Sequence, residues 1–304
     1  MGSVVILGVF VADTSYRADR MPKMGETILG NSFALGPGGK GSNQAVAAAK
    51  MGADTSILTK LGCDDFADMA LKTWAEAGVT PHVEQVADNY TGAAFIFVDD
   101  KTGDNAIIIA PGAAATISPE NMDNAADIIA NASVFMTQLE QPIDAAVRAL
   151  TIAKDAGVTT ILNPAPAAEL PDGMLALCDY VTPNETEAEE LTGIAVTTTE
   201  DAERASIAMV KAGVGTPIIT LGERGVYLHG HGLVPAINAG PVVETTGAGD
   251  AFNGGFAAAL AEGSSPLEAV IIGNATAGIS VTRPGTAPSM PSRAEVEALM
   301  AKGA

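Results

Sequence analysis

The sequence predicts an α/β fold with a mostly parallel central sheet that is covered by helices on both faces. In the second half of the chain, short apolar runs of strand length alternate with longer segments of helical periodicity, which is the pattern of successive β–α units. The composition, with 47% hydrophobic and 17% charged residues, supplies enough apolar surface for a large core and argues against disorder.

The first part of the chain is predicted to differ from the rest. The apolar run Val4–Ala12 indicates a first buried strand that ends at Asp13. The next segment, Thr14–Phe33, is polar and interrupted by Pro and Gly, and two later β-like runs flank the turn Asp99–Asp104. We infer a small β-sheet that would either close over a ligand as a lid or provide a dimer surface. Its two insertions comprise approximately residues 12–37 and 90–112 of a single domain that spans residues 1–304.

The remaining elements follow in regular order. The β-like runs of the small sheet are Thr91–Val98 and Asn105–Ala110. The predicted strands of the main sheet are Ser133–Thr137, Thr159–Leu162, Tyr180–Thr182 and Pro217–Leu221. The predicted helices are Ile143–Ala156, Glu185–Thr192, Asp201–Ala212, Ala251–Glu262 and Leu267–Thr282. Ligands of such sheets bind at the carboxyl ends of the strands, so residues that follow strands are the first candidates for a site.

The segment Thr245–Asp250, TTGAGD, carries the strongest functional signal in the chain. Small residues with free backbone amides lie just before a predicted helix, and such a helix N-terminus binds anions. A carboxylate in the same turn would repel an anion, so Asp250 is better suited to take a proton from a hydroxyl that attacks the anion. The combination indicates phosphoryl transfer to an alcohol.

Four other segments are weaker signals when each is taken alone. The glycines of Gly36–Asn43 would let the backbone approach a ligand, although the run lacks P-loop spacing and also fits a tight strand-to-helix turn. Asn184 and Glu187 lie at a predicted helix start, where they could bind Mg²⁺ directly or through water, or could simply cap the helix. Thr220–Gly225 could hold a nucleotide and Ser280–Ser289 a monovalent cation, and both also fit ordinary loops.

Acidic residues near strand ends complete the candidates. Glu140 follows the apolar run that ends at Thr137, and Asp13 is predicted to end the first strand. Because the carboxyl ends of parallel strands share one edge of a sheet, these carboxylates could meet Asp250 and Asn43. Together the four side chains could hold the hydroxyls of a polyol, although each acid alone also fits a structural role.

Charge and composition disfavour several classes of function. The net charge of -20 argues against nucleic acid and anionic membranes as partners. No apolar run is long enough for a membrane span, and the N-terminal residues indicate a strand rather than a signal peptide, so we expect a cytoplasmic protein. Cys63 and Cys178 fit no metal spacing and are consistent with a reducing compartment, and His229 and His231 are predicted to lie in a surface hairpin.

Taken together, these motifs resemble those of the pfkB family of sugar kinases, and in particular the ribokinases. The motifs GGKGSN and TTGAGDAFNGGF mark the family, and four further segments are ribokinase-like, so that the resemblance covers essentially the full length. It implies a three-layer αβα sandwich with a β-sheet lid that also pairs two subunits. It further implies transfer of phosphate from ATP to the 5-hydroxyl of D-ribose, with Mg²⁺ and K⁺. The segments are Gly38–Asn43, Asn163–Ala167, Thr182–Gly193, Ile219–Gly225, Thr245–Phe256 and Val281–Ser289.

The resemblance also implies roles for individual residues. Asp250 would be the base, and the amides of Gly247, Ala248 and Gly249 would bind the charge on the transferring phosphoryl group. The positions that match the sugar site are Asp13, Gly39, Lys40, Gly41, Asn43, Glu140 and Asp250. The positions that match the ATP site are Asn184, Thr220, Gly222, Gly225, Gly249 and Asn274. The positions that match the Mg²⁺ motif are Asn184 and Glu187, and those of the monovalent-cation loop are Glu244, Thr246, Ser280, Arg283, Gly285 and Ser289.

Two positions depart from the ribokinase pattern. Val11 stands where ribokinases usually carry Asn, so an apolar side chain replaces a group that bonds a sugar hydroxyl, as in sugar kinases that act on 2-deoxyribose. Glu244 stands where they usually carry Asp, which keeps the charge but moves the carboxylate. The alternatives to ribose are therefore 2-deoxyribose or another sugar. A nucleoside kinase would need an aromatic pocket from residues such as Phe10, Phe33 and Phe97, and a non-catalytic binding protein is disfavoured because Asp250 is present.

Overall fold

Two β-sheets organise the computed structural model, which describes residues 2–302. The strands are β1 (Ser3–Leu7), β2 (Val11–Ala18), β3 (Ser32–Gly38), β4 (Asp54–Leu61), β5 (Thr80–Gln85), β6 (Thr91–Asp99), β7 (Asn105–Gly112), β8 (Val134–Thr137), β9 (Thr159–Leu162), β10 (Tyr180–Val181), β11 (Thr216–Thr220), β12 (Val226–Leu228) and β13 (Gly232–Val234). The nine-stranded main sheet has the order β13-β12-β11-β10-β9-β8-β1-β4-β5, and it is parallel except at β12 and β13.

Helices cover both faces of the main sheet and form the two outer layers of the sandwich. They are α1 (Lys40–Lys50), α2 (Asp65–Ala77), α3 (Pro119–Asn124), α4 (Ala126–Ala130), α5 (Ile143–Asp155), α6 (Glu185–Thr192), α7 (Thr199–Lys211), α8 (Ala248–Ala261), α9 (Pro266–Ser280) and α10 (Arg293–Met300). None of the helices within residues 2–302 is both long and apolar enough to cross a membrane.

The main sheet separates two hydrophobic cores, as the alternation of side chains along β1 illustrates. Val4 and Ile6 belong to the core under α1, α2, α8, α9 and α10, whereas Val5 and Leu7 belong to the core under the helices from α3 to α7. Each of these four side chains is almost fully buried. Strands that are buried on both faces have continuous apolar sequences, which explains why the short runs in the sequence predicted them correctly.

Most elements predicted in the second half of the chain are confirmed. The bounds of β9 and α6 agree with the sequence prediction, and β12 and β13 form the antiparallel hairpin whose turn contains His229 and His231. The helix α8 begins at Ala248, three residues earlier than predicted, so that Asp250 lies in its first turn.

The first apolar run is not a single strand, and this prediction was wrong. The run divides between β1 of the main sheet and β2 of the smaller sheet, with Gly8 at the break. A Cβ at Gly8 would lie 2.5 Å from the Cα of Gly41, so the chain passes closely against the start of α1 as it leaves the main sheet. Asp13 therefore lies within β2 rather than at a strand end. Apolar sequence cannot mark this division because Val11 and Ala12 at the start of β2 are buried like the residues of β1.

The smaller sheet is built from two separate parts of the chain. It has the order β3-β2-β6-β7, in which β2 and β6 are parallel and the other pairs are antiparallel. The end of β3 leads directly into α1, and β2 follows β1 after a short connection. The smaller sheet is therefore attached at the carboxyl end of β1, the edge of the main sheet where ligands are expected.

Candidate active site

The N-terminus of α8 provides a site for an anion. Gly247 caps the helix in the left-handed conformation, with a φ of 80°. The amide of Ala248 donates a hydrogen bond to the carbonyl of Thr245 at 3.1 Å, which closes the turn. Within residues 2–302, the amides of Gly247 and Gly249 have no protein acceptor. Of the three amides predicted to bind the phosphoryl group, that of Ala248 is used by the turn itself, whereas the amide of Asp250 also has no protein acceptor within residues 2–302.

Asp250 lies directly beside these amides and is only 8% exposed. Asn43 Nδ2 donates to one of its carboxylate oxygens and Gln44 Nε2 to the other, each at 3.0 Å. Burial raises the pKa of Asp250, while the charge of Lys40 and the two hydrogen bonds oppose this rise. A carboxylate with a raised pKa next to an anion site is suited to accept a proton from a hydroxyl.

Two further carboxylates lie close enough to Asp250 to affect one another's ionisation. Burial, followed by the charges of Asp250 and Glu244, raises the pKa of Asp13 to about 6. Burial also raises the pKa of Glu140 to about 7, against the opposing effect of Lys40, whose amide donates to Glu140 Oε2 at 2.8 Å. The main chain thus brings Asp13, Glu140 and Asp250 to one cleft, as predicted, and they offer acceptors for several hydroxyls of a polyol.

Two glycines make this arrangement of carboxylates possible. A Cβ at Gly38 would lie 2.1 Å from Asp13 Oδ2, so the carboxylate packs directly on the glycine. Gly39 has a φ of 88°, and a Cβ there would lie 2.5 Å from the carbonyl of Val9. Gly41, in contrast, is buried against Gly8, which leaves its backbone amide as the group that could contact a sugar.

We expect Gly38→Ala to raise the KM for the sugar by about tenfold or more with a smaller change in kcat, because the new methyl group displaces Asp13. Steady-state kinetics with varied sugar would measure this. Gly36→Ala is the matched control, since Gly36 lies in the same strand and a Cβ there would meet no atom within 4 Å. An unchanged KM in Gly38→Ala would contradict a role of Asp13 in binding.

Asn184 and Glu187 form a capping box at the N-terminus of α6. The amide of Asn184 donates to Glu187 Oε2 at 2.9 Å, and the amide of Glu187 donates to Asn184 Oδ1 at 2.8 Å. Asp250 and Lys40 both influence the pKa of Glu187, which burial raises. Within residues 2–302, no three His, Cys, Asp or Glu side chains are grouped as a metal site. The free Glu187 oxygen fits an Mg²⁺ ion that keeps its waters and is held chiefly by phosphates.

The predicted ATP positions divide into exposed and structural residues. Thr220 ends β11 and Gly222 is exposed in the turn that follows. Gly225 is buried, since a Cβ there would lie 2.2 Å from the carbonyl oxygen of Val234. Asn274 Nδ2 donates to the carbonyl oxygen of Pro235 at 3.0 Å. Gly225 and Asn274 therefore shape the loop beside the cleft, whereas Thr220 and Gly222 remain candidates for direct contact with the nucleotide.

The predicted cation loop consists of residues 243–246 and 280–289, which lie side by side. Glu244 Oε2 accepts a hydrogen bond from the amide of Gly285 at 2.8 Å, while Thr246 is exposed. The side chains of the loop that already bond to protein groups are those of Ser280, Ser289 and Arg283. The oxygens that fit a monovalent cation are therefore the second carboxylate oxygen of Glu244 and the backbone carbonyls.

The sequence prediction missed a group of buried amide side chains behind Asp250. Gln44 donates to Asn163 and accepts from Gln138 beneath Asp250, and Thr182 donates to Asn253 nearby. Gln138 and Asn163 each directly follow a strand of the main sheet. Gln44 inside the Ala-rich helix α1 was the available signal in the sequence, since a buried glutamine requires hydrogen-bond partners.

The fold and this site together define an α/β phosphotransferase that acts on a hydroxyl group. The model of the pfkB family of carbohydrate kinases matches residues 1–293. A ribokinase of Haemophilus influenzae is 40% identical over 296 residues, which cover 96% of both chains. A deoxyribokinase of Salmonella typhi is 37% identical over 298 residues, which cover 95% of both chains. The chain belongs to the pfkB family of carbohydrate kinases and is a sugar kinase.

A solved structure extends this similarity to three dimensions. The structure of an Arabidopsis thaliana ribokinase in complex with ribose and ATP matches the present fold with a TM-score of 0.93, at 34% identity and with 98% of both chains covered. The predicted fold class, a three-layer sandwich with an additional small β-sheet, is therefore confirmed.

Proposed function

We propose that this protein transfers the γ-phosphoryl group of ATP to the 5-hydroxyl of D-ribose, which gives D-ribose 5-phosphate and ADP. The observation that carries the proposal is the position of Asp250, a buried carboxylate in the same turn as the free amides of Gly247 and Gly249. The sugar is inferred from the ribokinases of Haemophilus influenzae and Arabidopsis thaliana, which are similar over nearly the full chain.

The geometry suggests how the reaction proceeds. The carboxylates of Asp13 and Glu140 accept hydrogen bonds from the sugar hydroxyls, the amide of Asn43 contacts a further hydroxyl, and the three side chains orient the sugar. Asp250 takes the proton of the 5-hydroxyl as the hydroxyl oxygen forms a bond to the γ-phosphorus. The bond between that phosphorus and the bridging oxygen breaks, and its electron pair leaves with ADP. The amides of Gly247 and Gly249 donate to the phosphoryl oxygens, where negative charge collects.

Mg²⁺ would neutralise phosphate charge when bound with ATP. Glu187 would hold it through a water molecule, and the capping box would fix the position of that carboxylate. The smaller sheet is proposed to act as a lid that keeps water from the phosphoryl group, since it connects through Gly38 to the start of α1.

The substrate is tested with a panel of ribose, 2-deoxyribose, fructose and adenosine in a coupled assay of ADP formation. We expect the highest kcat/KM with ribose. Phosphorylation of none of the sugars would refute the proposed activity.

The second candidate substrate is 2-deoxyribose, which Val11 and the Salmonella typhi relative favour. Val11 lies in β2, two residues before Asp13 and on the same side of the strand, but it is only 2% exposed and packs in the core. Equal kcat/KM for the two sugars would support this candidate. The nucleoside kinase is disfavoured because two of the three aromatic side chains considered for a base pocket are buried: Phe10, which packs edge-on against Trp74 at a centroid distance of 5.9 Å, and Phe97.

We also propose that K⁺ occupies the loop around Glu244 and activates the enzyme. The loop adjoins the anion site, because Thr286 packs on Gly247, and an ordered loop would hold the N-terminus of α8 in place. Replacing Na⁺ by K⁺ at constant ionic strength is expected to raise kcat several-fold. Loss of this response in Glu244→Gln would support the assignment, and an identical kcat in both salts would contradict it.

A homodimer formed through the smaller sheet is proposed from its exposed apolar side chains. Phe33 and Leu35 in β3 lie on the same face of the smaller sheet as Ile108 in β7, and these three side chains are between 45% and 66% exposed. Tyr16, 43% exposed in β2, lies between them on that face and contacts Phe33, whereas Ile107 and Ile109 lie on the opposite face. Such a contiguous apolar surface is typical of a protein interface, and a second copy would cover it symmetrically.

We expect Ile108→Lys to shift the protein from dimer to monomer in sedimentation analysis, because it places a charge within this apolar surface. Lys101→Ala, in the turn between β6 and β7, is a control outside the apolar surface. Sedimentation of the unmodified protein as a monomer would contradict the proposed dimer.

The cellular context is inferred from charge and from the cysteines. Cys63 and Cys178 are not joined by a disulfide, which is consistent with a reducing cytoplasmic location. The net charge of -20 disfavours nucleic acid and anionic membranes as partners.

A further inference from the structure

Gln44 is the most completely bonded polar side chain next to the proposed base. It is the fifth residue of α1, in the second turn, and is fully buried. Its Nε2 donates to Asp250 Oδ1 and to Asn163 Oδ1, both at 3.0 Å. Its Oε1 accepts a hydrogen bond from Gln138 Nε2 at 2.6 Å. Both hydrogens of the amide and its oxygen are therefore used.

The neighbours of Gln44 permit only one orientation of its amide. Asn163 donates from Nδ2 to the carbonyl of Thr182 at 3.1 Å, so its Oδ1 must face Gln44 as an acceptor. Gln138 offers a donor to the opposite side of the amide. A flipped Gln44 would place oxygen against oxygen at both Asp250 and Asn163. The main sheet thus fixes the orientation through residues that directly follow β8 and β9.

Two glycines make room for Gln138 in this arrangement. A Cβ at Gly8 would lie 2.7 Å from Gln138 Oε1, and a Cβ at Gly41 would lie 2.8 Å from the same atom. The close approach of β1 and α1 therefore encloses Gln138, which in turn holds Gln44. This enclosure gives Gly41 a structural function in addition to any contact with the sugar.

The two oxygens of Asp250 have different surroundings. Oδ1 accepts its hydrogen bond from Gln44, which faces the sheet and is fully buried. Oδ2 accepts from Asn43, whose own Oδ1 is buried and has no hydrogen-bond partner within residues 2–302. Each oxygen accepts one amide hydrogen at 3.0 Å and keeps a second lone pair. Oδ1 is bonded on the side of the main sheet, so Oδ2, beside Asn43, is the oxygen assigned to receive the proton of the sugar.

We propose that Gln44 is a positioning residue that holds Asp250 Oδ1 as a permanent acceptor and thereby aims Oδ2 at the sugar hydroxyl. The proposal rests on the proposed function, in which Asp250 is the base. It predicts that Gln44 affects the proton transfer and not the binding of the sugar, since Gln44 is shielded from the cleft. Hydrogen bonds also favour the ionised form of Asp250, so their loss makes the carboxylate easier to protonate.

The test replaces Gln44 by Met, which has a similar length but no donor. We expect kcat to fall about 100-fold while the KM for the sugar changes little, because a carboxylate that is free to turn is rarely in line with the hydroxyl. The acid limb of the pH profile of kcat/KM should move up by about one pH unit, the equivalent of one hydrogen bond to an ionised group.

Gln141→Met is the matched control. Gln141 is also buried and donates to Thr137 and to the carbonyl of Gln138, but it does not contact Asp250. Its variant should keep both kcat and the acid limb, even if the unfolding midpoint falls as far as in Gln44→Met. Equal loss of kcat in both variants, or an unmoved acid limb in Gln44→Met, would overturn the proposal.

A second variant and a second measurement cover a failure of Gln44→Met to fold. Gln138→Met leaves Gln44 in place but removes its orienting donor, and it should shift the acid limb in the same direction by a smaller amount. In ¹³C NMR, the carboxyl signal of Asp250, assigned by its absence in Asp250→Asn, should titrate at higher pH in either variant. This titration does not require turnover, so an inactive wild-type protein would refute the proposed function and still leave the role of Gln44 testable. An unchanged titration would refute the role of Gln44 alone.

Discussion

Asp250→Asn is expected to lower kcat by about 10³-fold or more while the sugar still binds, because general base catalysis contributes roughly 10²–10⁴-fold and this variant also disturbs the aligned hydrogen bonds. Asn has the shape of Asp but cannot take the proton of the hydroxyl, and its amide opposes the donors from Asn43 and Gln44. Rapid-quench measurement of sugar phosphate formation, together with sugar binding by calorimetry, would separate the two effects.

The stability of this variant provides an internal check. Removal of the buried charge favours folding, since burial disfavours the ionised form of Asp250, whereas the contact of the new amide with one of the two donors opposes folding. The two effects offset each other, so the unfolding midpoint should change little. Asp172→Asn, in the exposed loop after β9, serves as the control and should retain full activity. Near-native turnover of Asp250→Asn would show that another group accepts the proton.

The ligand-free protein is expected to contain an acid whose ionisation opposes folding, and Glu140→Gln should remove this effect. The pKa of Glu140 rises from 4.5 to about 7, chiefly through burial, so the folded state retains a proton that the unfolded state loses. Its contribution to stability is complete below pH 4.5 and is lost as pH rises through about 7. A pKa shift of this size lowers the free energy of unfolding at high pH by on the order of 3 kcal/mol.

The measurement compares unfolding midpoints of wild type and Glu140→Gln from pH 4 to 8. The variant should be more stable than wild type at pH 8, and the difference should vanish toward pH 4. Glu189→Gln, which changes an exposed acid in α6, should show no such dependence. A difference that stays constant with pH would mean that Glu140 is not protonated in the folded protein. The same protonation predicts weaker sugar binding below pH 7, since a neutral carboxyl is a poorer acceptor.

The residues closest to the chemistry were predictable because their types and local order have few explanations. Glycines followed by an acid at the start of a helix indicated an anion site and a base, and Asp250 lies there. Of the three predicted amides, that of Ala248 is not free, since hydrogen bonding within the turn uses it. Asn184 and Glu187 illustrate the opposite situation, because the capping function and the proposed metal function are both compatible with the observed capping box.

Other features depended on contacts between distant segments. Nothing near Gln44 in sequence indicates Asp250, Gln138 or Asn163, which lie 206, 94 and 119 residues away. The division of the first apolar run at Gly8 depended likewise on the packing of that glycine against α1. Such contacts arise only when strands and helices are assembled.

Local periodicity, glycine and helix capping act over a few residues, so the amino-acid sequence was enough to predict the alternation of strands and helices and the helix start that contains Asp250. The tertiary structure was needed to place Asp13 in the smaller sheet. It was also needed to show that Asp13 and Glu140 are buried, which raises the pKa of both carboxyl groups. The contacts of Gln44 with Gln138 after β8, with Asn163 after β9 and with Asp250 are likewise visible only in the assembled fold. Burial and the orientation of a side-chain amide depend on every element that packs around the residue. The local sequence pattern predicts only the element to which the residue belongs.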